Sequence, residues 1–175
     1  MNTRLLSLVL LCAGPSGVLL AQTPPQTRAG TAFERLRALS GHWQGTFAWS
    51  GASTGSGKLV AEYYVTGNGS ALVENLIMGG APSMTSVYHL DGADLRMTHY
   101  CAAQNQPRLM ASAVDLDHGQ ITFSFVDITH LRSPTAGHVD GLDVHFLGPD
   151  HLTLRYHFTG NGKDSDELID LTRKS

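Results

Sequence analysis

Cysteine is nearly absent from this chain. Of 175 residues only two are cysteines, Cys12 and Cys101, and Cys12 falls in what reads as a removable leader. A single thiol then remains, so the folded part cannot form an intrachain disulfide and must hold itself together by packing. Charge is sparse as well: twelve Lys and Arg against fifteen Asp and Glu give a net charge of −3, and no basic run is longer than Arg173-Lys174. Nucleic-acid binding, which needs a basic stripe, is excluded on that ground. No uninterrupted apolar run reaches the roughly 20 residues of a membrane-spanning helix. Helical periodicity is rare too, and one short amphipathic segment, spaced by Phe33, Leu36 and Leu39, accounts for it. Among motifs, there is no Gly-x-Ser-x-Gly elbow, no His-Glu-x-x-His and no cysteine pair. The glycines from Gly51 to Lys58 have the wrong spacing for a phosphate loop.

The N-terminus has a pattern of its own. Arg4 precedes the apolar run Leu5 to Leu11, a Gly14-Pro15-Ser16-Gly17 break follows, and Val18 to Ala21 ends on a small residue. This reads as a secretory signal peptide over 1–21, cut after Ala21, which makes the mature chain secreted or periplasmic. Leu11 stands where a lipoprotein signal needs a small residue, so Cys12 is not read as a lipid anchor. Residues 22–31, with Pro24 and Pro25, read as a disordered tether. The remainder, 32–175, suits one domain with a sizeable core.

From His42 onward the apolar period is two. Ten strands are expected: 42–49, 58–66, 70–78, 83–90, 95–101, 109–115, 120–127, 142–147, 151–159 and 167–173. Gly67-Asn68-Gly69, Asp91-Gly92, Asp117-His118-Gly119, Gly148-Pro149-Asp150 and Gly160-Asn161-Gly162 supply tight turns between them. Short turns join antiparallel neighbours. The expected fold is therefore all-β, an antiparallel up-and-down barrel of about ten strands with one short N-terminal helix.

Alternation then assigns faces. Trp43, Phe47 and Trp49 share one side; so do Leu95, Met97, His99 and Cys101; Ile121, Phe123 and Phe125; and Leu152, Leu154, Tyr156 and Phe158. Leu72 and Tyr88 point the same way, and Glu74 lies among them. A few polar groups in an apolar interior describe a ligand cavity.

The Gly41-His42-Trp43 run after the helix resembles the calycins, which include lipocalins and fatty-acid-binding proteins. The resemblance implies that Trp43 closes the barrel floor under an arginine of the last strand, here Arg173. Ten strands are closer to the fatty-acid-binding and nitrobindin-like barrels than to eight-stranded lipocalins. Phe33-Glu34-Arg35-Leu36, Gly69 to Glu74, Tyr88-His89-Leu90-Asp91-Gly92, Thr98-His99-Tyr100-Cys101 and Asn105-Gln106-Pro107-Arg108 resemble a family of exported bacterial proteins with a domain of unknown function. That family implies fold and compartment without an activity. Nitrobindin-like barrels hold haem through a histidine near the chain end. His151 and His157 alternate with the inward residues and should face solvent, which leaves His99 as the fallback haem ligand.

The site candidates are Glu74, Tyr88, Met97, His99, Cys101, Arg108, Phe123 and Tyr156. Met97 and Phe123 would line the cavity with Leu72 and Phe125, while Arg108 and Glu74 would orient a polar end of the ligand. His99 and Cys101, two apart on one strand, reach the same side, but no third metal ligand is near in sequence, so no metal site is assigned. Asn105 and Gln106 read as loop-shaping, and the long connection 128–141 as a rim loop or lid. The expected function is binding of a small apolar or amphipathic molecule. The alternatives are an isomerase or lyase using His99 as acid or base, or a haem or metal barrel. Nothing in the pattern specifies a ligand, a reaction or an oligomeric state. The protein recovered after export should begin at Gln22 by intact mass; a chain that retains residues 1–21 would contradict the leader.

Overall fold

A computed structural model describes residues 27–174. The expected leader and most of the expected tether lie outside the described residues. The helix α1 (Arg28–Arg37) starts inside the span read as tether, because the Thr27 hydroxyl accepts from the Gly30 N–H at 3.0 Å and Ala29, Ala32, Phe33 and Leu36 recur on one buried face.

Ten strands follow: β1 (Gly41–Gly51), β2 (Gly55–Thr66), β3 (Ala71–Met78), β4 (Ala81–Asp91), β5 (Asp94–Tyr100), β6 (Gln106–Asp115), β7 (Gln120–Thr129), β8 (His138–Phe146), β9 (His151–Gly160) and β10 (Lys163–Arg173). Each pairs antiparallel with its sequence neighbour, and β1 pairs with β10 to close an up-and-down barrel. Closure brings the two strands very close at Gly45, where a Cβ would lie 1.8 Å from the Asp170 carbonyl oxygen. Only glycine fits there.

The helix plugs one end, which we call the floor. Its buried face meets β4, β5 and β6. There the Trp43 indole N–H donates to the Leu39 carbonyl at 2.7 Å, and the Arg173 guanidinium lies 4.4 Å from the indole centroid. Arg173 also donates to the Ser40 and Ala38 carbonyls and to Asp150. One side chain thus ties the last strand, the first strand and the helix end together. Gly41, at φ +130°, leaves the room that the guanidinium needs, since a Cβ would sit 3.0 Å from it.

The opposite end, the mouth, carries the β1–β2, β3–β4, β5–β6, β7–β8 and β9–β10 connections. The β7–β8 segment folds over it: Asn161 N–H donates to the Thr135 carbonyl at 2.9 Å, and the Asn105 amide donates to the Gly137 carbonyl at 2.9 Å. Here β7 and β8 part, their ladder ending at Ser124↔Gly141.

Replacing Arg173 by alanine should cost about 1–3 kcal/mol, from the lost cation–π contact and charge-assisted bonds. Guanidinium unfolding followed by tryptophan fluorescence would read it; an unchanged midpoint would contradict the role given to Arg173.

Candidate functional site

Strand register places one polar residue from each of four neighbouring strands in a single row. Tyr63 on β2 pairs with Glu74 on β3, Glu74 with Ser86 on β4, and Ser86 with His99 on β5. All four are buried. From the far wall β9 sends in Tyr156, whose hydroxyl donates to Glu74 Oε1 at 2.6 Å and lies 3.2 Å from Ser86 Oγ. Tyr88 donates to Glu74 Oε2 at 3.2 Å, and Ser86 lies 3.2 Å from Oε1 and 2.9 Å from His99 Nδ1. In the strand order β9 and β4 stand half a circuit apart, so this network is a polar strut across the bore.

Its protons can be counted. With Glu74 ionised, the Tyr156, Tyr88 and Ser86 hydroxyls donate to it and His99, carrying its proton on Nδ1, donates to Ser86 Oγ; each of these four donors is then used, while the neighbouring Tyr63 hydroxyl has no partner. The tautomer is thus assigned from the network. Burial pushes the Glu74 carboxyl up, and hydrogen bonds led by Tyr156 pull against it. Burial first and the Glu74 charge second push the Tyr63, Tyr88 and Tyr156 hydroxyls well above their ordinary range. Burial alone lowers His99 to about 4, so the imidazole is neutral at pH 7.

The strut divides the interior. On the floor side Tyr88 pairs with Met97, and its ring meets Phe123 edge-on at 5.8 Å between centroids. These three expected cavity residues are inward, but they pack on one another beneath the strut. On the mouth side lie Cys101, Val139, Phe158, Ser165 and Glu167. Glu167 pairs with Tyr156 on one side and Trp49 on the other, and the Tyr156 and His99 rings are 5.0 Å apart. The Cys101 thiol is held up by burial first and also feels the Glu167 charge, so both face this compartment. A hollow of about 450 Å³ between the β1–β2 and β9–β10 hairpins, bordered by Trp49, Ser53, Gly137, Phe158 and Ser165, lies at its outer edge.

Three fully buried polar atoms on the mouth side have no hydrogen-bond partner: His99 Nε2, Glu167 Oε2 and Asn105 Oδ1. Asn105 belongs to this group because its backbone carbonyl accepts from the Cys101 N–H at 3.0 Å while its side chain reaches toward the closing segment. Burial pushes the Glu167 carboxyl up to about 7, with the Trp49 indole pulling it back.

Two expectations need correction. Arg108 does not enter the bore. The strand β6 begins at Gln106, three residues before the expected start, and Leu109 and Pro107 take the inward positions, so Arg108 faces out and forms a two-pronged pair with Asp127. Phe125 is 40% exposed and stacks against His138 at 5.5 Å, because it lies past the last β7–β8 rung and beside a register shift against β6.

The outer histidines behave as expected. His151 bonds Asp170 at 3.0 Å, and His157 bridges Asp166 and Asp143 at 2.6 and 3.1 Å. Burial would lower His157, but the two carboxylates outweigh it and raise it. Among the described residues His99 is the one buried imidazole. No group of three His, Cys, Asp or Glu able to hold a metal forms among them. Ser86, Tyr63 and Glu167 are site residues that sequence reasoning missed. Ser86 between Met84 and Tyr88, and Glu167 in phase with Ile169, carry the same alternation that pointed to Glu74.

No family model matches the chain, and no curated protein matches it. Solved structures do. One is a protein of unknown function of the DUF3598 family from Nostoc punctiforme, at TM-score 0.55 and 12% identity, covering 79% of this chain and 49% of its own. This chain thus spans about half the length of that protein. Another is Rv2717c from M. tuberculosis, at TM-score 0.53 and 17% identity, covering 82% of this chain and 98% of its own. At such identities the likeness establishes the barrel fold and nothing about the site.

The Glu167 carboxyl, raised in the folded state, favours folding fully below about pH 4.5 and loses that contribution as pH rises through about 7. Relative to the parent chain, Glu167→Gln should therefore gain stability between pH 5 and pH 8. Unfolding in guanidinium at both pH values measures this; a difference that stays constant with pH would contradict the buried carboxyl.

Proposed function

We propose that this chain is an exported β-barrel that takes a small, largely apolar molecule into the mouth-side half of its interior. The observation that carries the reading is that three buried polar atoms of the mouth-side half, His99 Nε2, Glu167 Oε2 and Asn105 Oδ1, have no hydrogen-bond partner. Each such atom costs about 1–3 kcal/mol when left dry. Natural proteins rarely keep three together unless a ligand or ordered water meets them. The rest of the lining, Val139, Phe158, Trp49 and Cys101, is apolar or nearly so, as a small-molecule site requires.

Binding is favoured over catalysis by the state of His99. A general base works best with a pKa near the operating pH, whereas His99 sits at about 4. The Cys101 thiol, pushed up by burial, is a poor nucleophile. The leader-like N-terminus and the absence of a second cysteine in the domain fit an exported carrier or sensor that does not depend on redox state.

The test uses 1-decanol as a neutral apolar probe. Calorimetry should show saturable uptake at one molecule per chain with a negative heat-capacity change. Val139→Trp, which fills the compartment, should weaken binding by about tenfold or more while leaving the far-ultraviolet circular dichroism unchanged. Absence of decanol binding, together with ordered water alone bridging the three atoms in a high-resolution structure, would overturn the reading.

A further inference from the structure

Resting on that reading, we infer that the ligand carries a hydrogen-donating, cationic head, an amine on an apolar body, and that an apolar carboxylic acid is selected against. The three unpartnered atoms select it by their chemistry. Asn105 Nδ2 is committed as a donor to the Gly137 carbonyl, so its free Oδ1 can only accept. His99 has its proton on Nδ1, toward Ser86, in the arrangement that satisfies the strut, so its free Nε2 presents a lone pair. Glu167 Oε2 accepts whenever the carboxyl is ionised. The compartment thus offers three acceptors and asks its occupant for donors.

Charge points the same way. Glu74 and Glu167 are the buried charged side chains, and no Lys or Arg is buried among the described residues. Arg108 is bound to Asp127 outside, and Arg173 is held at the floor by Trp43, Asp150 and the carbonyls of Ala38 and Ser40. Lys163 borders the outer hollow, but within the interior a carboxylate would meet acceptors and a second carboxyl with no buried Lys or Arg to offset it, whereas an ammonium would meet three acceptors. Trp49 beside Glu167 adds an aromatic face, and its ring lies 5.0 Å from Phe158, so two rings flank the position of the head. An amine would also hold Glu167 ionised, which couples binding to loss of the carboxyl proton.

The test compares n-decylamine, 1-decanol and n-decanoate, each below its micelle concentration, by calorimetry at pH 7.5 on the full mature chain. Decylamine should bind about tenfold or more tighter than decanoate, with decanol between them. Glu167→Gln should cut the ratio of decylamine to decanol affinity about fivefold, and Val139→Trp should abolish decylamine uptake. Decanoate binding as tightly as decylamine, with decanol still bound, would overturn this inference alone. Failure of all three probes would overturn the ligand-binding reading with it. Decylamine uptake that survives Val139→Trp would be adsorption to the acidic surface and would also overturn the inference.

Discussion

A carboxylate buried in an apolar barrel must be met by donors, and nearly everything in this interior follows from how Glu74 is met. Its partners come from both walls: Tyr156 from β9 at 2.6 Å, and Tyr88 and Ser86 from β4 at 3.2 Å. Losing any one would leave part of a charge dry, at about 1–3 kcal/mol or more, so the arrangement fixes strand register on both sides of the bore at once. It also orients His99, because Ser86 stands between the two. Among the described residues no disulfide sets the diameter of the barrel. A hydrogen-bonded bridge of full side-chain length does so instead.

The strut separates two chemistries. Beneath it Tyr88, Met97, Phe123, Trp43 and the helix residues Phe33 and Leu36 form a packed core, with Arg173 clamping the closure and Arg35 lying over Phe146. Above it Ser165 and the Asn105 amide N–H are bonded to Ser53 and Gly137, and His99 Nε2, Glu167 Oε2 and Asn105 Oδ1 are left without partners. One barrel of ten strands thus holds a packed core on the floor side and the proposed compartment on the mouth side. The β7–β8 segment covers the mouth through hydrogen bonds from Asn161 and Asn105, so access depends on contacts outside the main ladders, the kind that open at low free-energy cost.

The fold was largely legible because one signal, alternation punctuated by turn residues, repeats ten times and errors at single strands do not propagate. Inward placement of Glu74, Tyr88, Met97, His99, Phe123 and Tyr156 came from the same period. Its failures are local and physical. Arg108 reads as a loop residue because Gln106-Pro107 does not look like a strand start, yet three further pairs with β7 extend the strand and turn it outward. Phe125 obeys the period but lies where two strands separate, and separation leaves no mark on alternation. Ser86 is small and polar, and a sequence cannot tell such a residue at an inward position from a solvated one. Its importance appears only when Glu74, His99 and Tyr156 are seen to meet at it. Glu167 was hidden differently, since Asp164, Asp166 and Asp170 around it make it look like part of a charged surface.

On this account the strut holds His99 as a neutral imidazole with its proton toward Ser86 and its Nε2 lone pair unpartnered. Nitrogen-15 NMR of the His99 ring measures this directly. A protonated Nδ1 and an unprotonated Nε2 at pH 7, persisting as pH falls until about 4, is the predicted result. A proton on Nε2 at pH 7, or an imidazolium already formed at pH 6, would contradict it.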